Sequence, residues 1–271
     1  MAFYFDPVKL HYKSYGSGKP ILILHGLFGM LANWSTFARH LSEAYHVYTI
    51  DLRNHGRSPH EETFHYQVMA GDILEFLDAH ELRKVTILGH SLGGKVAMQT
   101  ALTHPKSVEK LIVIDMAPRA YSSAHDAIIE ALLNIDMHGM ASRKEIERVL
   151  MNRLSDPGIV LFLMKNVARR KDGTLYWRMN LPVLAANYPN TTAAVELSKP
   201  FDGPVLFVRG GQSNYIPDED WPDIKKHFPA AKLKTIEKAG HWVHADAMEE
   251  LLGITREFLE EGNVKHKSHY N

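Results

Sequence analysis

The sequence VTILGHSLGG, residues 85–94, contains the most specific fold signal in this chain. It holds a short apolar run, Val85–Leu88, then a G-x-S-x-G sequence centred on Ser91, then the start of a helical pattern at Leu92. A serine placed between a strand and a helix in this way is typical of a nucleophile elbow, in which a strained turn lifts the hydroxyl group above the edge of a sheet. The flanking glycines allow neighbouring backbones to approach closely. The pattern therefore predicts that Ser91 is a nucleophile in an α/β protein.

Short apolar runs alternate with helical patterns on both sides of this stretch. Most of the runs are nearly continuous in Ile, Leu and Val, as expected when helices cover both faces of a parallel sheet. The alternation predicts an α/β fold with a mostly parallel, doubly wound sheet, and Phe3–Tyr15 predicts a β-hairpin at its edge. The predicted strands are Pro20–His25, His46–Asp51, Lys84–Gly89, Lys110–Asp115, Pro204–Arg209 and Lys232–Glu237, and the predicted helices outside the interrupted region are Ala32–Leu41, Tyr66–Ala79, Leu92–Thr103 and Met248–Leu259.

One region interrupts this alternation. Between Asp115 and Pro204 the sequence predicts helices at His125–Asn134, Arg143–Leu154 and Ile159–Ala168, and no strand. A single crossover helix does not need so much chain. We therefore expect a core domain formed by residues 1–116 and 201–271, with residues 117–200 inserted as a helical cap; the alternative is a series of ordinary surface crossovers.

Composition narrows the class of protein. The chain has 271 residues, with 31 Lys and Arg against 31 Asp and Glu, so no overall charge favours nucleic acid. It has no cysteine, which excludes disulfides and a thiol nucleophile. No apolar run is long enough to span a membrane, and residues 1–10 lack a signal-peptide pattern, so we expect a cytoplasmic protein. The His-rich tail at residues 264–271 is more typical of a chain end than of a metal site, no metal or cofactor is expected, and the sequence gives no oligomeric state.

A second motif predicts where negative charge is held during acyl transfer. The sequence His25-Gly26-Leu27-Phe28-Gly29 follows the strand that ends near Leu24. In nucleophile-elbow proteins two backbone N–H groups hold the oxyanion, one from the residue after the nucleophile and one from such a loop. We predict Leu92 for the first and Leu27, rather than Phe28, for the second. His25 is interpreted as a buried residue that braces this loop, and residues 51–58, DLRNHGRS, as a charged turn that holds it in place.

The general base is predicted at His241, in the sequence Gly240-His241-Trp242 after the last predicted strand. The chain has 17 histidines, so position must choose among them. A histidine near the carboxyl end gives the chain order Ser, acid, His that belongs with a nucleophile elbow. His244 is the nearest competitor.

The acid is harder to place. The loop after the strand Pro204–Arg209 reads GGQSNY, residues 210–215, and contains no carboxylate. The acids at residues 218–220 stand at a predicted helix start, where they favour the helix dipole. Asp115 ends an apolar strand at the carboxyl edge, where α/β sites assemble, and a carboxylate buried there needs a partner such as an imidazolium. We therefore predict Asp115, the alternative being that it caps the turn before Pro118.

These motifs together resemble the α/β-hydrolase superfamily across nearly the whole chain. Within it the chain is similar to small bacterial esterases of the YbfF type, which are related to abhydrolase domain-containing protein 11. The resemblance implies carboxylesterase activity on a small-molecule acyl ester, with acyl-CoA thioesters also open, and it places the acid at Asp115. The motifs that carry it are HGLFG at His25, DLRNHGRS at Asp51, GHSLGGK at Gly89, IDMAP at Ile114, GGQSNYI at Gly210 and GHWVHA at Gly240.

Several alternatives use the same fold. Haloalkane dehalogenases and epoxide hydrolases attack with an aspartate, so a serine at position 91 disfavours both. Carbon–carbon bond hydrolases and cofactor-free perhydrolases keep the same triad and stay open, because Arg169, Arg170 and Arg178 could supply the basic residue that a carbon–carbon hydrolase lid needs. A non-catalytic ligand-binding protein is a further alternative.

Substrate contacts are predicted at Phe28, Trp177 and Tyr188. The last two belong to a stretch of the expected cap that is rich in methionine and aromatic residues. Such residues form an apolar acyl site only if they face the nucleophile. Chain length and leaving group are not indicated by the sequence.

Overall fold

A computed structural model describes residues 6–196 and 199–261. Phe3–Phe5 of the expected hairpin and the His-rich tail lie outside the described residues. Nine strands are present in this part of the chain, and each of the six predicted strands is found within two residues of its expected bounds. The strands are β1 Tyr12–Tyr15, β2 Lys19–Leu24, β3 Tyr45–Ile50, β4 Val85–His90, β5 Val108–Ile114, β6 Val167–Arg169, β7 Leu175–Trp177, β8 Val205–Gly210 and β9 Ala231–Ile236.

Seven of the strands form one sheet in the order β1-β3-β2-β4-β5-β8-β9. All neighbours are parallel except β1, which is antiparallel to β3. The mostly parallel sheet predicted from the apolar runs is confirmed. The predicted hairpin is wrong for residues 6–15, because they hold a single strand that pairs Tyr12 with Ile50 and not with its own neighbours. Alternation identifies a strand but does not identify its partner.

Helices cover both faces of this sheet. Alternate residues of β2 enter opposite cores, as the pleat of a strand requires. Leu22 packs with residues of the second and third helices, while Ile23 packs with residues of the first and the last. The helices are α1 Ser35–Leu41, α2 Tyr66–Ala79, α3 Leu92–Thr103, α4 Asp126–Leu133, α5 Arg143–Arg153, α6 Pro157–Met164, α7 Leu181–Ala186, α8 Tyr188–Thr192, α9 Trp221–His227, α10 Val243–Asp246 and α11 Met248–Glu260, with one-turn 3-10 helices at Leu31–Trp34, Pro105–Ser107 and Asp218–Asp220.

The segment between β5 and β8 contains α4 to α8. It also contains β6 and β7, which pair as a small antiparallel sheet with Val167 opposite Trp177. The expectation that this segment has no strand is therefore wrong, and the helix expected over Ile159–Ala168 ends at Met164. Strands of three residues are too short to show a period of two, so β6 could not be distinguished from a continuation of the helical pattern of α6.

No helix in the described part of the chain combines the length and the apolar character that crossing a membrane requires.

Candidate active site

Ser91 occupies the sharp turn between β4 and α3. Its φ is 53°, in the left-handed region that a residue with a side chain rarely adopts. The turn is so tight that a Cβ on Gly89 would lie 2.2 Å from the carbonyl oxygen of Gly93, and a Cβ on Gly93 would lie 2.4 Å from that of Leu24. Only glycine fits at both positions. Ser91 therefore stands at the end of the strand in the strained geometry expected of a nucleophile elbow.

His241 and Asp115 are hydrogen-bonded to each other. The distance from His241 Nδ1 to Asp115 Oδ2 is 2.7 Å, although the two residues are 126 positions apart. Asp115 follows β5, has a φ of 49° and is completely buried. The loop without carboxylates supplies it with donors: the N–H of Gly210 donates to Oδ1 at 3.0 Å, and the hydroxyl of Ser213 donates to Oδ2. These bonds offset part of the cost of burying the carboxylate.

Ser91 and His241 line the same cavity, which has a volume of about 490 Å³. Among the described residues Ser91 Oγ has no hydrogen-bond partner, so the structure does not join Ser91 directly to His241. Hydrogen bonds of this kind are often long in a free enzyme and shorten when the substrate binds. The structure thus brings together Asp115 and His241 by a bond, and Ser91 and His241 by a shared cavity.

The two predicted oxyanion donors lie beside Ser91. Leu27, Ser91 and Leu92 line a second, smaller cavity of about 30 Å³. Leu92 is the first residue of α3, where a backbone N–H has no acceptor within the helix. The N–H of Phe28 donates to His55 Nε2 at 3.2 Å, which favours Leu27 over Phe28 as the donor from this loop.

Two buried histidines hold the loop that carries Leu27. His25 Nδ1 lies 2.8 Å from the carbonyl oxygen of Gly26, and its Nε2 accepts from the N–H of Leu52 at 3.0 Å. Burial lowers the pKa of His25 to about 4 and that of His55 to about 3. Both rings are therefore neutral near pH 7 and committed to backbone groups, which is the arrangement expected of braces.

The turn at residues 51–58 also supports this loop region through hydrogen bonds. Asp51 accepts hydrogen bonds from the N–H groups of Leu31 at 2.7 Å and Arg57 at 2.9 Å. Arg53 forms a buried bidentate pair with Asp72, with both distances 2.6 Å. Asp51 is thus bonded to backbone groups and Arg53 to a residue of α2, and neither side chain lines a cavity beside Ser91.

The competing histidine, His244, lies elsewhere in the site. Its ring stacks on Trp34, with centroids 4.3 Å apart, and it has no bond to Asp115. Burial lowers the pKa of His244 to about 3. His90 contacts both rings, with centroids 4.8 Å from His241 and 4.9 Å from His244, and donates through Nε2 to the carbonyl oxygen of His241 at 2.8 Å. The geometry thus distinguishes His241 from its neighbours by its bond to a carboxylate.

Of the three predicted substrate contacts, two line a cavity beside Ser91 and one does not. Phe28 lines the larger cavity. Tyr188 lines the smaller one, with its hydroxyl accepting from the N–H groups of Ala124 and His125 at 2.9 Å each. The structure does not bring Trp177 to either cavity, because β7 holds it opposite Val167.

Several residues of the site were not singled out from the sequence. Tyr215 stacks on the imidazole of His241, and Ser213 holds Asp115; both belong to the GGQSNYI stretch, whose lack of a carboxylate was the available signal. Ile128 of α4, together with Ile159 and Phe162 of α6, lines the larger cavity. Nothing in an apolar helix shows which of its residues face a cavity. Across residues 6–196 and 199–261 no group of three or more His, Asp or Glu is placed to hold a metal ion.

Comparison with known proteins gives consistent matches. A family model described as the alpha/beta hydrolase fold matches residues 19–140 and 147–247. Esterase YbfF of Escherichia coli (strain K12) is 35% identical over 246 residues, covering 90% of this chain and 94% of its own. The sn-1-specific diacylglycerol lipase ABHD11 of Xenopus tropicalis is 35% identical over 257 residues, covering 92% of this chain and 80% of its own. A solved structure described as a marine microorganism esterase superposes with a TM-score of 0.91 at 42% identity, covering 93% of this chain and 99% of its own.

Proposed function

The chain belongs to the α/β-hydrolase fold family and is a hydrolase of the esterase and lipase type, and from this premise we propose that it cleaves carboxylic esters through Ser91, His241 and Asp115. The family membership confirms the resemblance inferred from the motifs. The observation that carries the catalytic assignment is the 2.7 Å bond between His241 and the buried Asp115, at a cavity that Ser91 also lines.

The proposed mechanism is a two-step acyl transfer. The bond to Asp115 keeps the proton of His241 on Nδ1, so that Nε2 accepts the proton of Ser91 as its oxygen attacks the ester carbonyl. The N–H groups of Leu27 and Leu92 stabilise the oxyanion. His241 then protonates the leaving alcohol as the carbon–oxygen bond breaks, which leaves an acyl-enzyme. A water molecule, deprotonated by His241, then attacks the acyl carbon. The bond from this carbon to Ser91 Oγ breaks, and His241 returns the proton to Oγ as the acid is released.

We propose that residues 117–200 act as a cap over this site. Helices α4 and α6 of this segment contribute Ile128, Ile159 and Phe162 to the lining of the larger cavity. These apolar side chains would contact the carbon chains of an ester and exclude water from the reaction. Tyr188, from α8, would limit the smaller cavity on the other side of Ser91.

The proposed substrates are uncharged carboxylic esters. Hydrolysis of acyl-CoA thioesters should be assayed alongside them. The names of the relatives, an esterase and a diacylglycerol lipase, agree with an ester of this class. No specific observation favours carbon–carbon bond cleavage. Arg169 bonds to the carbonyl oxygen of Gly173 and Arg170 lies over the ring of Tyr176, and neither is part of the cavity lining.

Labelling with a fluorophosphonate tests the nucleophile. We expect one adduct per chain, located on Ser91 by peptide mass analysis, and loss of both the adduct and ester hydrolysis in Ser91→Ala. Ser107→Ala, a change far from the site, is the matched control and should label normally. If Ser91→Ala still forms the adduct, or keeps most of the wild-type esterase activity, Ser91 is not the nucleophile. A non-catalytic binding protein would give no stoichiometric adduct in the wild-type chain.

A further inference from the structure

Phe28, in the loop that carries Leu27, has a strained backbone that is held from two sides. Its φ is 61°, in the left-handed region that a residue with a side chain rarely adopts. Its N–H donates to His55 Nε2 at 3.2 Å, and its carbonyl oxygen accepts from Asn166 Nδ2 at 2.7 Å. His55 follows β3, whereas Asn166 lies in the segment between β5 and β8. A strained conformation persists only where the surrounding structure holds it, so both bonds help to fix the loop.

The side chain of Asn166 has no other polar contact that explains it. Asn166 lies between α6 and β6 and is completely buried. Its backbone is fixed, because its N–H donates to the carbonyl oxygen of Leu163 at 2.9 Å and its own carbonyl oxygen accepts from the N–H of Arg178 at 2.8 Å. Its Oδ1 has no partner among the described residues. Since burying an amide oxygen without a partner is unfavourable, the bond from Nδ2 to Phe28 is what this amide provides.

The bond from Asn166 is the first of a series that ends at Leu27. The peptide group between Phe28 and Gly29 accepts from Asn166 on its oxygen. The N–H of the same peptide group donates to the carbonyl oxygen of Gly26 at 2.9 Å. On the opposite side of that next peptide group is the N–H of Leu27, since the oxygen and the N–H of a trans peptide point in opposite directions. This N–H has no acceptor in the described part of the chain, so it is free to bind a substrate oxygen.

The end of the series lies beside the nucleophile. A Cβ on Gly26 would lie 3.2 Å from the Cβ of Ser91, and Leu27 and Ser91 line both cavities. His25 adds a second donor: because its Nε2 accepts from the N–H of Leu52, its Nδ1 carries the proton and donates to the carbonyl oxygen of Gly26 at 2.8 Å. The carbonyl group of Gly26 is therefore fixed, and with it the direction of the N–H of Leu27.

The series is also aligned electrostatically. Each peptide group in it accepts a hydrogen bond on its oxygen and donates one through its N–H, so the dipoles point the same way. Hydrogen bonds that are connected in this way polarise one another. The effect increases the partial positive charge on the N–H of Leu27, at the place where the carbonyl oxygen of an ester becomes negative during the reaction.

We propose that Asn166 is a positioning residue for the oxyanion hole, whose Nδ2 group holds the strained loop and orients the N–H of Leu27 through two peptide groups. Asn166 does not touch the substrate, because it is completely buried and lines neither cavity beside Ser91. The segment between β5 and β8 thus acts on the reaction through this bond as well as through the side chains that line the larger cavity. The inference rests on the proposed esterase function, with Leu27 as an oxyanion donor.

Asn166→Leu tests the proposal, because leucine has nearly the same shape but cannot donate. For butyl butanoate we expect kcat to fall about tenfold while KM stays within about twofold, since the oxyanion exists only in the transition state. Loss of an oxyanion donor itself costs about 10²–10³ in kcat, and a residue that only orients the donor should cost less. The Ki of a trifluoromethyl alkyl ketone, which Ser91 converts into an oxyanion, should rise by about the factor by which kcat/KM falls.

Asn190→Leu is the matched control. Asn190 also lies between β5 and β8, and its Nδ2 also donates to a distant backbone carbonyl oxygen, that of Phe64, at 3.1 Å. Phe64 is not in the loop, so kcat and the Ki of the ketone should stay within about twofold of the wild type. Urea unfolding measures the free energy of unfolding of both variants. If Asn166→Leu loses stability but keeps the wild-type kcat, KM and Ki, Asn166 has only a structural role and the proposal is overturned.

A second variant covers a failure to fold. If Asn166→Leu does not fold, Asn166→Ala takes its place, because a smaller side chain cannot crowd the buried site. The same fall in kcat is expected, and a kcat within about twofold of the wild type overturns the proposal. An active wild type with unaffected Asn166 variants contradicts only the role of Asn166. If the wild-type chain hydrolyses no ester and takes no fluorophosphonate label, the proposed function is wrong, and this inference with it.

Discussion

The phenol ring of Tyr215 stacks on the imidazole of His241, with ring centroids 4.0 Å apart and an angle of 20° between the planes. Tyr215 is itself held, because its carbonyl oxygen accepts from the hydroxyl of Tyr121 at 2.6 Å. The bond to Asp115 fixes one edge of the imidazole, and Tyr215 fixes its face. Together the two contacts leave the ring of His241 little freedom to turn away from the cavity.

Removing this stacking should slow the reaction without unfolding the protein. For Tyr215→Ala we expect kcat to fall by about tenfold, because a catalytic group loses rate when its orientation is relaxed. Tyr215→Phe keeps the ring and should stay within about twofold of the wild-type kcat. Steady-state kinetics on one ester measure both variants. Equal losses in the two variants would indicate that the hydroxyl group, and not the stacked ring, is what matters.

The position of the acid gives the sharpest contrast. Asp115→Asn keeps the shape of the side chain but removes the charge that orients His241, and turnover should fall by about 10⁴, as it does when the aspartate of a serine protease triad is replaced by asparagine. Asp218→Asn is the matched control, because its side chain is 83% exposed and pairs with Arg209 at the surface. It should be nearly silent. If the two variants behave the other way round, the acid lies after β8.

Substrate selectivity should respond to α6 and not to β7. Phe162 lines the larger cavity and packs on Trp242 at 5.3 Å, so Phe162→Ala enlarges the space available to a substrate and should shift the preference towards longer chains. Trp177→Ala should leave the length profile unchanged, since Trp177 lies outside the lining. A panel of alkyl esters, extended on either side of the carbonyl group, measures both. If only Trp177→Ala changes the length profile, the substrate binds near Trp177 and not in the larger cavity.

A buried lysine connects α3, the helix that follows Ser91, to residues 119 and 193. Lys95, one turn after Ser91 on α3, is fully buried. Its ammonium group donates to the carbonyl oxygens of Arg119, at 2.7 Å, and Ala193, and lies 4.8 Å from the ring centre of Tyr121. Burial, with a smaller effect from the charge of Arg119, lowers the pKa of Lys95 to about 7 from an ordinary value of 10.5.

This lowered pKa predicts a pH-dependent stability. Because the folded chain releases the proton of Lys95 at a lower pH than the unfolded chain, the unfolded chain holds one more proton between about pH 7 and pH 10. In that range the free energy of unfolding of the wild type should rise relative to Lys95→Met by up to about 1.4 kcal/mol per pH unit. Below pH 7 the difference should be constant.

Urea unfolding of both proteins from pH 6 to pH 9.5 measures this difference. Lys234→Met, at an exposed position, is the control and should give a difference that does not change with pH. A difference between wild type and Lys95→Met that is flat above pH 7 would show that the buried lysine keeps an ordinary pKa.

Much of the fold was predictable because its signals are local. The six apolar runs are strands because a parallel sheet covered on both faces needs continuous Ile, Leu and Val, and that requirement is visible in a window of six residues. The turn at Ser91 was predictable for the same reason, since the clash that excludes a side chain at Gly89 involves Gly93, only four positions away. The interruption of the strand–helix alternation between Asp115 and Pro204 was visible in the same way, because one crossover helix does not need so much chain.

The sequence was therefore sufficient for the order of the six central strands, the elbow at Ser91 and a short list of partners for it. Which of these partners meet depends on the packing of distant elements. That packing placed Asp115 within 2.7 Å of His241, turned Ser213 towards the carboxylate and left Trp177 outside the cavity. The physical reason is that these contacts join residues about a hundred positions apart through the packing of β5, β8 and the loops after them. Local pattern specifies an element and its buried face, whereas the register between distant elements is set only when their side chains pack together.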